Sequence, residues 1–225
     1  MEATQVAVLD HGHVRLVDHM GSDLSIVRAA RVSYDADWRA GEDTGSDHKL
    51  IGYLLRNRHT SPFEAVTFTF EVKAPIFVFR QWHRHRTWSF NEVSARYAEL
   101  PEEFYVPDAE MLTTQHTSNK QMRTDEQVAN VGLVQAYMTK SNADAFALYH
   151  ALLEQGVARE LARTVLPVST YSRMFATVDL HNLLHFLRLR LHPHAQHEIQ
   201  VYAKAMLELI KPIVPSTIAH WMTQE

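Results

Sequence analysis

The sequence predicts a single α+β domain over residues 1–225, with a central, mostly antiparallel sheet and helices packed against it. Residues 66–73, VTFTFEVK, alternate apolar and polar side chains, which is typical of a half-buried strand. Residues 179–192 instead carry leucines at helical spacing. Strands and helices mix along the chain without the regular strand–helix–strand alternation of a parallel sheet, so an α+β arrangement is favoured.

The N-terminal half of the chain contains a further strand and several helices. Residues 13–18 alternate weakly and predict the strand, and the helix at residues 22–34 opens with a capping serine. Residues 48–57 show helical spacing of apolar side chains. In residues 60–64, TSPFE, a cap serine, a first-turn proline and a glutamate predict another helix start. Residues 74–86 predict a helix entered through a proline.

The C-terminal half is mainly helical. Residues 112–127 are polar and rich in turn formers, which predicts a surface loop. A long helix is predicted over residues 126–155, followed by a short one at residues 156–167 that ends in proline. Residues 168–178 are rich in β-branched and aromatic side chains and predict a strand. A last helix is predicted at residues 195–211.

Composition restricts the classes of function. The net charge of −4 argues against general nucleic-acid binding, which needs a basic surface. The absence of cysteine excludes disulfides, thiolate nucleophiles and cysteine-ligated metal sites. The N-terminus lacks the features of a signal peptide, and no apolar run reaches membrane-spanning length. We therefore expect a cytoplasmic protein that binds neither membranes nor nucleic acid.

One stretch, HRHRTWSFNEVSARY at residues 83–97, mixes arginines, histidines and aromatic side chains. Its SFNE segment predicts a capping box that starts a helix over residues 90–97, and free N–H groups at such a start bind anions. The donors expected to converge there are Arg84, Arg86, Ser94 and Arg96. The aromatic side chains would supply apolar walls. The alternative is an arginine-rich helix end whose charges pair with nearby glutamates.

Arg190 lies near the apolar stripe of its predicted helix, where an unpaired arginine is rare. It is interpreted either as a structural ion pair with Glu160 or Glu198, or as a group that stabilises an anion in a pocket. Arg163 allows the same two interpretations.

The histidines raise the question of a metal site. Residues 191–198, LHPHAQHE, contain an H-x-H-x-x-H spacing, but no H-E-x-x-H motif and no acidic residues at obvious ligand spacing. His181, His185 and His192 share one helix face, as polar flanks often do. No metal site is expected.

The RHR motif at residues 84–86, followed after seven residues by Ser94, resembles the signature of the flavin-dependent thymidylate synthases. Other segments are similar to the same family, namely HTSPFE (59–64), KAPIFVFRQW (73–82), NEVSARY (91–97), RELARTVLP (159–167) and LRLRLHPHAQHEIQVYA (187–203). The similarity covers most of residues 20–212. The motif is long and chemically mixed, which makes a chance match very improbable.

The resemblance implies an enzyme that methylates dUMP to dTMP. Methylenetetrahydrofolate would be the carbon donor, FAD the redox carrier and NADPH the common reductant of the flavin. The family also implies an α/β domain in a homotetramer whose active sites are shared between subunits. The lack of cysteine agrees with this, because the better-known thymidylate synthases need a cysteine nucleophile.

The resemblance further implies two sets of ligand-binding residues. Those for FAD are His59, Ser61, Arg84, His85, Arg86, Glu92, Asp179, Leu180, His181 and His185, the last four from a neighbouring subunit. Those for dUMP are Gln81, Arg84, Glu92, Ser94, Arg96, Arg163 and Arg190. Arg190 matches the catalytic arginine that promotes ionisation of the uracil ring, as a fixed cation in a dry pocket can. Ser94 is interpreted as a nucleotide ligand, since no base is placed to activate it as a nucleophile.

Two positions depart from the family pattern. Asp179 stands where asparagine is frequent; both residues cap helices, but aspartate cannot donate to a flavin carbonyl. Ala65 replaces a frequent histidine. Both changes could alter flavin affinity.

Two other classes of function stay open. The basic and aromatic stretch at residues 80–97 could belong to a nucleic-acid-binding module, whose affinity would fall steeply with salt. A flavoprotein oxidase without carbon transfer would form no dTMP even when methylenetetrahydrofolate is supplied.

Overall fold

The structure, a computed structural model, describes residues 5–223. Residues 1–4, which begin the N-terminal segment without signal-peptide features, and residues 224–225 lie outside this part. The strands are β1 (Gln5–Val8), β2 (Gly12–Met20), β3 (Thr67–Pro75), β4 (Ser89–Glu92), β5 (Thr113–Gln115), β6 (Arg123–Gln127) and β7 (Tyr171–Asp179). The α-helices are α1 (Asp23–Arg31), α2 (Thr44–Arg56), α3 (Ile76–Trp82), α4 (Val131–Glu154), α5 (Arg159–Ala162), α6 (Leu180–Arg190), α7 (His197–Ile210) and α8 (Pro215–Met222).

One antiparallel sheet forms the centre of the molecule, with the strand order β1, β2, β3, β7, β4. The central strands β3 and β7 pair along their whole length, although about a hundred residues separate them in sequence. The alternation of apolar and polar side chains predicted for β3 is confirmed, since Phe68, Phe70 and Val72 are fully buried on one face. The predicted α+β fold and the predicted strands in these two regions are confirmed.

Helices α6 and α7 pack together, and α7 also covers β1 and β2. The apolar stripe predicted in α6 is confirmed, because Leu180, Leu183 and Leu187 are fully buried. Removing a leucine side chain of this kind from water contributes about 2 kcal/mol. Other predicted helices form with shifted ends, but the helix expected over residues 156–167 is reduced to α5 and a 3₁₀ turn at Arg163–Val165.

A cluster of aromatic rings ties the segment after α3 to α6. Trp82 stacks on Phe186 with ring centroids 4.9 Å apart, and Trp88 lies 5.1 Å from the same ring. Phe90 stacks on Trp88. Trp88 is therefore part of the core and Phe90 packs against it, whereas Tyr97 is 79% exposed.

The helix predicted over residues 90–97 is wrong. Residues Ser89–Glu92 instead form strand β4, which pairs with β7 from Ser89 opposite Thr177 to Glu92 opposite Met174. The SFNE pattern satisfies the local rule for a cap, but the segment pairs instead with a strand that is distant in sequence. No helix begins at this position, so the anion-binding helix start expected there does not exist. The turn that follows starts at Ser94, whose carbonyl accepts from the N–H of Tyr97.

Other local predictions differ in smaller ways. The helix expected over residues 74–86 stops at Trp82. The TSPFE helix is a 3₁₀ turn over Ser61–Ala65, and its N-cap is Thr60 rather than Ser61. The predicted loop at residues 112–127 contains the two-stranded hairpin β5–β6. Helix α8 is short and was not predicted from the sequence. Within residues 5–223, no helix combines the length and the apolar character that crossing a membrane requires.

Candidate functional site

A cleft of about 570 Å³ lies between α6 and the segment that follows α3. Helix α3 ends at Trp82, and the N–H of His85 donates to the Trp82 carbonyl, which turns the RHR motif towards α6. The lining residues are Arg84, His85, Arg86, Thr87, His181, Asn182, His185, Leu189 and Arg190. The fold thus brings six of the predicted site residues to one depression.

Arg190, the last residue of α6, is held by two hydrogen bonds from its guanidinium group. Its Nε donates to Nε2 of His85 over 3.0 Å, and its Nη2 donates to the backbone carbonyl of Gln81 over 3.2 Å. The ion pair suggested as an alternative is wrong within residues 5–223, because Glu160 pairs with Arg96 and Glu198 with Arg123. Arg190 is half-buried, and burial lowers the pKa of its guanidinium group.

His85 is neutral in this arrangement. The side chain is buried against Phe186, with ring centroids 4.9 Å apart. Burial, and after it the electrostatic interactions with Arg190 and His185, lowers the pKa of His85 to about 4. A guanidinium can only donate, so Nε2 must carry the lone pair and Nδ1 the proton.

A second cleft, of about 280 Å³, adjoins the first and shares His181 and His185 with it. Its other lining residues are Leu54, Leu55, Arg58, His59, Thr60, Phe63, Leu184, Arg188 and Trp221. Among the residues that line the two clefts in the described part of the chain, none is acidic. The side chains that can donate hydrogen bonds into the two clefts are cationic or neutral, and the walls are partly apolar. Such a lining suits a flat ring system joined to phosphates. The residues present therefore fit FAD.

The second predicted flavin segment begins at the start of α6. Asp179 caps this helix, since its carboxylate accepts from the N–H of Asn182 at 2.9 Å and from the Asn182 side-chain amide at 2.6 Å. Both carboxylate oxygens thus have local partners. Leu180 is fully buried, and its N–H donates to the Val66 carbonyl.

The predicted nucleotide residues fall into two groups within one chain. Gln81, Arg84 and Arg190 lie at the first cleft or in direct contact with it. Arg96 instead pairs with Glu160 over 3.3 Å, beside the 3₁₀ turn that carries Arg163. Glu92 and Ser94 lie on β4 and in the turn that follows it. This second group does not line the first cleft within residues 5–223; its members are Glu92, Ser94, Arg96 and Arg163.

Several residues at the site were not predicted. The Gln81 side-chain amide donates to the side-chain oxygen of Gln196, the residue that precedes α7. Gln196 lies within the HPHAQHE segment at residues 192–198. Its position inside this motif was the one sequence signal that could have identified it as a site residue. Thr87 and Asn182 belong to the cleft only because the tertiary fold places them there. Within the described part of the chain, no group of three or more histidine, aspartate or glutamate side chains could hold a metal ion.

The family model for the thymidylate synthase complementing protein matches residues 15–216 of this chain. The flavin-dependent thymidylate synthase of Treponema denticola is 50% identical over 223 residues, which cover 97% of this chain and 82% of that protein. The chain belongs to the flavin-dependent thymidylate synthase family. The family predicted from the RHR motif is therefore confirmed.

Two further similarities agree with this family membership. The flavin-dependent thymidylate synthase of Thermus thermophilus is 53% identical over 213 residues, covering 93% of this chain and 75% of that protein. The crystal structure of PolB from Streptomyces cacaoi, a UMP/dUMP methylase bound with 5-Br dUMP, superposes with a TM-score of 0.87. It is 43% identical, and the match covers 97% of both chains.

Proposed function

We propose that this flavin-dependent thymidylate synthase family member is a methyltransferase that converts dUMP to dTMP. Methylenetetrahydrofolate is the carbon donor, FAD the flavin and NADPH the reductant. The observation that carries the proposal is a half-buried arginine, Arg190, fixed by a neutral histidine at the edge of a cationic cleft without acidic lining residues. Two relatives support the same chemistry, since the T. denticola protein is a flavin-dependent thymidylate synthase and the S. cacaoi protein a UMP/dUMP methylase.

The flavin site proposed here joins the two adjoining clefts. His59, Arg84, Arg86, His181 and His185 offer donors to phosphate and ring oxygens. The other residues proposed to bind FAD are Ser61, His85, Glu92, Asp179 and Leu180. Bound flavin would supply the hydride that no side chain of this protein can provide. The apolar side chains Leu54, Phe63 and Trp221 exclude water from one wall of the site.

The proposed nucleotide residues act by positioning and charge. Arg84, Arg96 and Arg163 suit a phosphate or ring oxygen because guanidinium groups donate several hydrogen bonds in one plane. Gln81, Glu92 and Ser94 add polar contacts. Arg190 stabilises negative charge as it develops on the pyrimidine ring, since a fixed cation in a partly dry cleft needs no reorganisation at that moment. Removing one such donor from an enzyme typically costs about 10²–10³-fold in kcat.

A homotetramer with shared active sites is proposed as the working form. Its support is that the nucleotide residues of one chain divide into two groups, so that each group can meet the complementary group of a neighbour. Large side chains on the surface also need an explanation, since Trp38 is 68% exposed and Leu161 is 61% exposed. We place the protein in the cytoplasm, where nucleotides and folates are metabolised.

The visible spectrum of the purified protein, recorded before and after addition of dUMP, tests cofactor and substrate together. We expect flavin absorption bands that shift when dUMP binds. A colourless protein that FAD does not reconstitute would contradict the proposal. Assays of dTMP formation with and without methylenetetrahydrofolate separate a synthase from an oxidase. Binding to DNA that falls steeply with salt would support the nucleic-acid alternative instead.

The same assay should include UMP, because the structurally similar PolB is described as a UMP/dUMP methylase. Methylation of UMP at a comparable rate would extend the proposed substrate to ribonucleotides. Methylation of dUMP alone would restrict it to the deoxynucleotide.

A further inference from the structure

We propose that His85 is the positioning residue that holds the Arg190 guanidinium in its working orientation, and that it does so as the neutral tautomer protonated at Nδ1. The inference rests on the proposed function, because the orientation matters for the charge that Arg190 stabilises. It assigns to the middle residue of the RHR motif a role towards the nucleotide half of the site, in addition to any contact with the flavin.

The geometry of the guanidinium supports this role. Its Nε bonds Nε2 of His85 over 3.0 Å, and its Nη2 bonds the Gln81 carbonyl over 3.2 Å. These bonds fix the plane of a side chain that otherwise has several rotatable bonds. An arginine carries five N–H donors, so further donors stay available for a planar acceptor such as a pyrimidine ring.

The environment of His85 makes it suited to this task. The ring is only 8% exposed and packs against Phe186, so it has little freedom to rotate. Gln81, whose carbonyl is the second acceptor, is itself tied to Gln196 through its side chain. A protonated imidazole could not accept from Arg190 and would place two positive charges side by side. Burial and the Arg190 charge keep the pKa of His85 well below neutrality, so its accepting nitrogen stays free at physiological pH.

The test compares two substitutions of His85 with one of Arg190. In His85→Leu the acceptor is lost and the apolar contact with Phe186 is kept. In His85→Gln the side-chain oxygen replaces Nε2 as an acceptor. Rates of dTMP formation are expressed per bound flavin, which separates this role from any loss of cofactor. Flavin content and thermal midpoint are measured in parallel for each variant.

We expect His85→Leu to lower kcat about 100-fold, as misplacement of a catalytic group by about 1 Å does, with a smaller change in KM for dUMP. His85→Gln should recover most of that loss. In an Arg190→Ala background, His85→Leu should have almost no further effect on kcat, because a positioning residue acts only through the group it positions.

Three outcomes overturn the inference. The first is a kcat of His85→Leu per bound flavin that equals wild type, and the second is a failure of His85→Gln to improve on His85→Leu. The third is a pair of effects that multiply in the double variant, which would mean that His85 acts independently of Arg190. Failure of the proposed function looks different, since the wild-type protein itself would then form no dTMP, and both conclusions would fall together.

Discussion

Arg190 and His85 lie 105 positions apart in sequence, yet the Nε of Arg190 donates to Nε2 of His85 over 3.0 Å. The bond joins the end of helix α6 to the motif that follows helix α3. From the sequence alone, the arginine also had an ordinary explanation as a structural ion pair. Together the two residues form a contact between a permanent donor and a ring nitrogen that has to stay unprotonated.

The Arg190→Ala variant should lose catalysis much more than stability. The variant removes the cation proposed to stabilise charge on the pyrimidine, so we expect kcat for dTMP formation to fall about 10²–10³-fold. The side chain is only half-buried and lies at a helix end, so the thermal midpoint should change little. Arg39→Ala is a matched control, because Arg39 is an exposed arginine paired with Glu42. Normal dTMP formation by Arg190→Ala would refute the role of Arg190.

The Arg84→Ala variant should bind both FAD and dUMP more weakly than the wild-type protein does. Arg84 lines the cleft proposed for the flavin and is also a proposed nucleotide ligand. A hydrogen bond to a charged group contributes about 1.5–3 kcal/mol, so each dissociation constant should rise about tenfold to a hundredfold. Titration of the apoprotein with FAD, and of the flavin-loaded protein with dUMP, measures the two effects separately. Unchanged Kd values for both would remove Arg84 from the site.

The Glu71→Gln variant should reveal a pH-dependent contribution to stability. The carboxylate of Glu71 accepts from Arg15 at 2.8 Å and contacts the His13 ring at 3.1 Å, and the Arg15 hydrogen bond lowers the pKa of Glu71 below 4.5 despite burial. A lowered pKa means that the charged form stabilises the fold above the unfolded-state pKa. This stabilisation is lost as the pH falls through the folded-state value.

At pH 7 we therefore expect Glu71→Gln to reduce the free energy of unfolding by about 1.5–3 kcal/mol. The difference from wild type should shrink as the pH falls below 4.5, where the wild-type carboxyl becomes protonated and resembles an amide. Urea unfolding across that range measures the difference. The exposed Glu208→Gln change in α7 is the control and should show little effect at any pH. A difference that stays constant through the acid range would exclude this explanation.

The Gly12→Ala variant should destabilise the sheet. A Cβ at position 12 would lie 2.6 Å from the Val8 carbonyl oxygen and 2.8 Å from that of Lys73, and it would also collide with the Tyr202 hydroxyl. Two of these neighbours are backbone atoms of adjoining strands, so the strands themselves must shift. We expect a loss of about 1–3 kcal/mol, as overpacking in a core typically causes.

Gly132→Ala provides the opposite case. Thermal and urea unfolding measure the stability of both glycine variants. Gly132 lies in helix α4, and a Cβ there would meet nothing within 4 Å. Alanine favours the helical conformation over glycine by up to about 1 kcal/mol. Equal thermal midpoints for the two variants would contradict the packing described at Gly12.

Much of the fold was predictable because the periodic signals were strong. The alternation in β3 and the leucines of α6 identify buried faces directly, and both elements form where the pattern placed them. At Ser89–Glu92 the prediction of a helix start failed, because the segment forms a strand. A capping-box pattern describes what a segment can do alone, and the pairing of β4 with β7 is a long-range choice that the pattern does not contain.

In the candidate site, too, some features were predictable from the sequence and others followed only from the fold. The RHR motif and its neighbours were sufficient to predict the family, since that information is carried by the order of residue types. The sequence alone also placed Arg190 near an apolar face, which indicated a cation in need of a partner. The identity of that partner, and the protonation state it requires, followed only from the folded chain.

The sequence by itself therefore determined the family, the α+β class and the residue types available for chemistry. The tertiary structure decided which of those residues meet, because contacts across about a hundred residues depend on how strands and helices pack and not on local preference. Arg190 reaches His85 only because the aromatic cluster of Trp82, Trp88 and Phe186 holds the two chain segments together. That packing excludes water around His85, and the loss of water is the main reason that the histidine stays neutral.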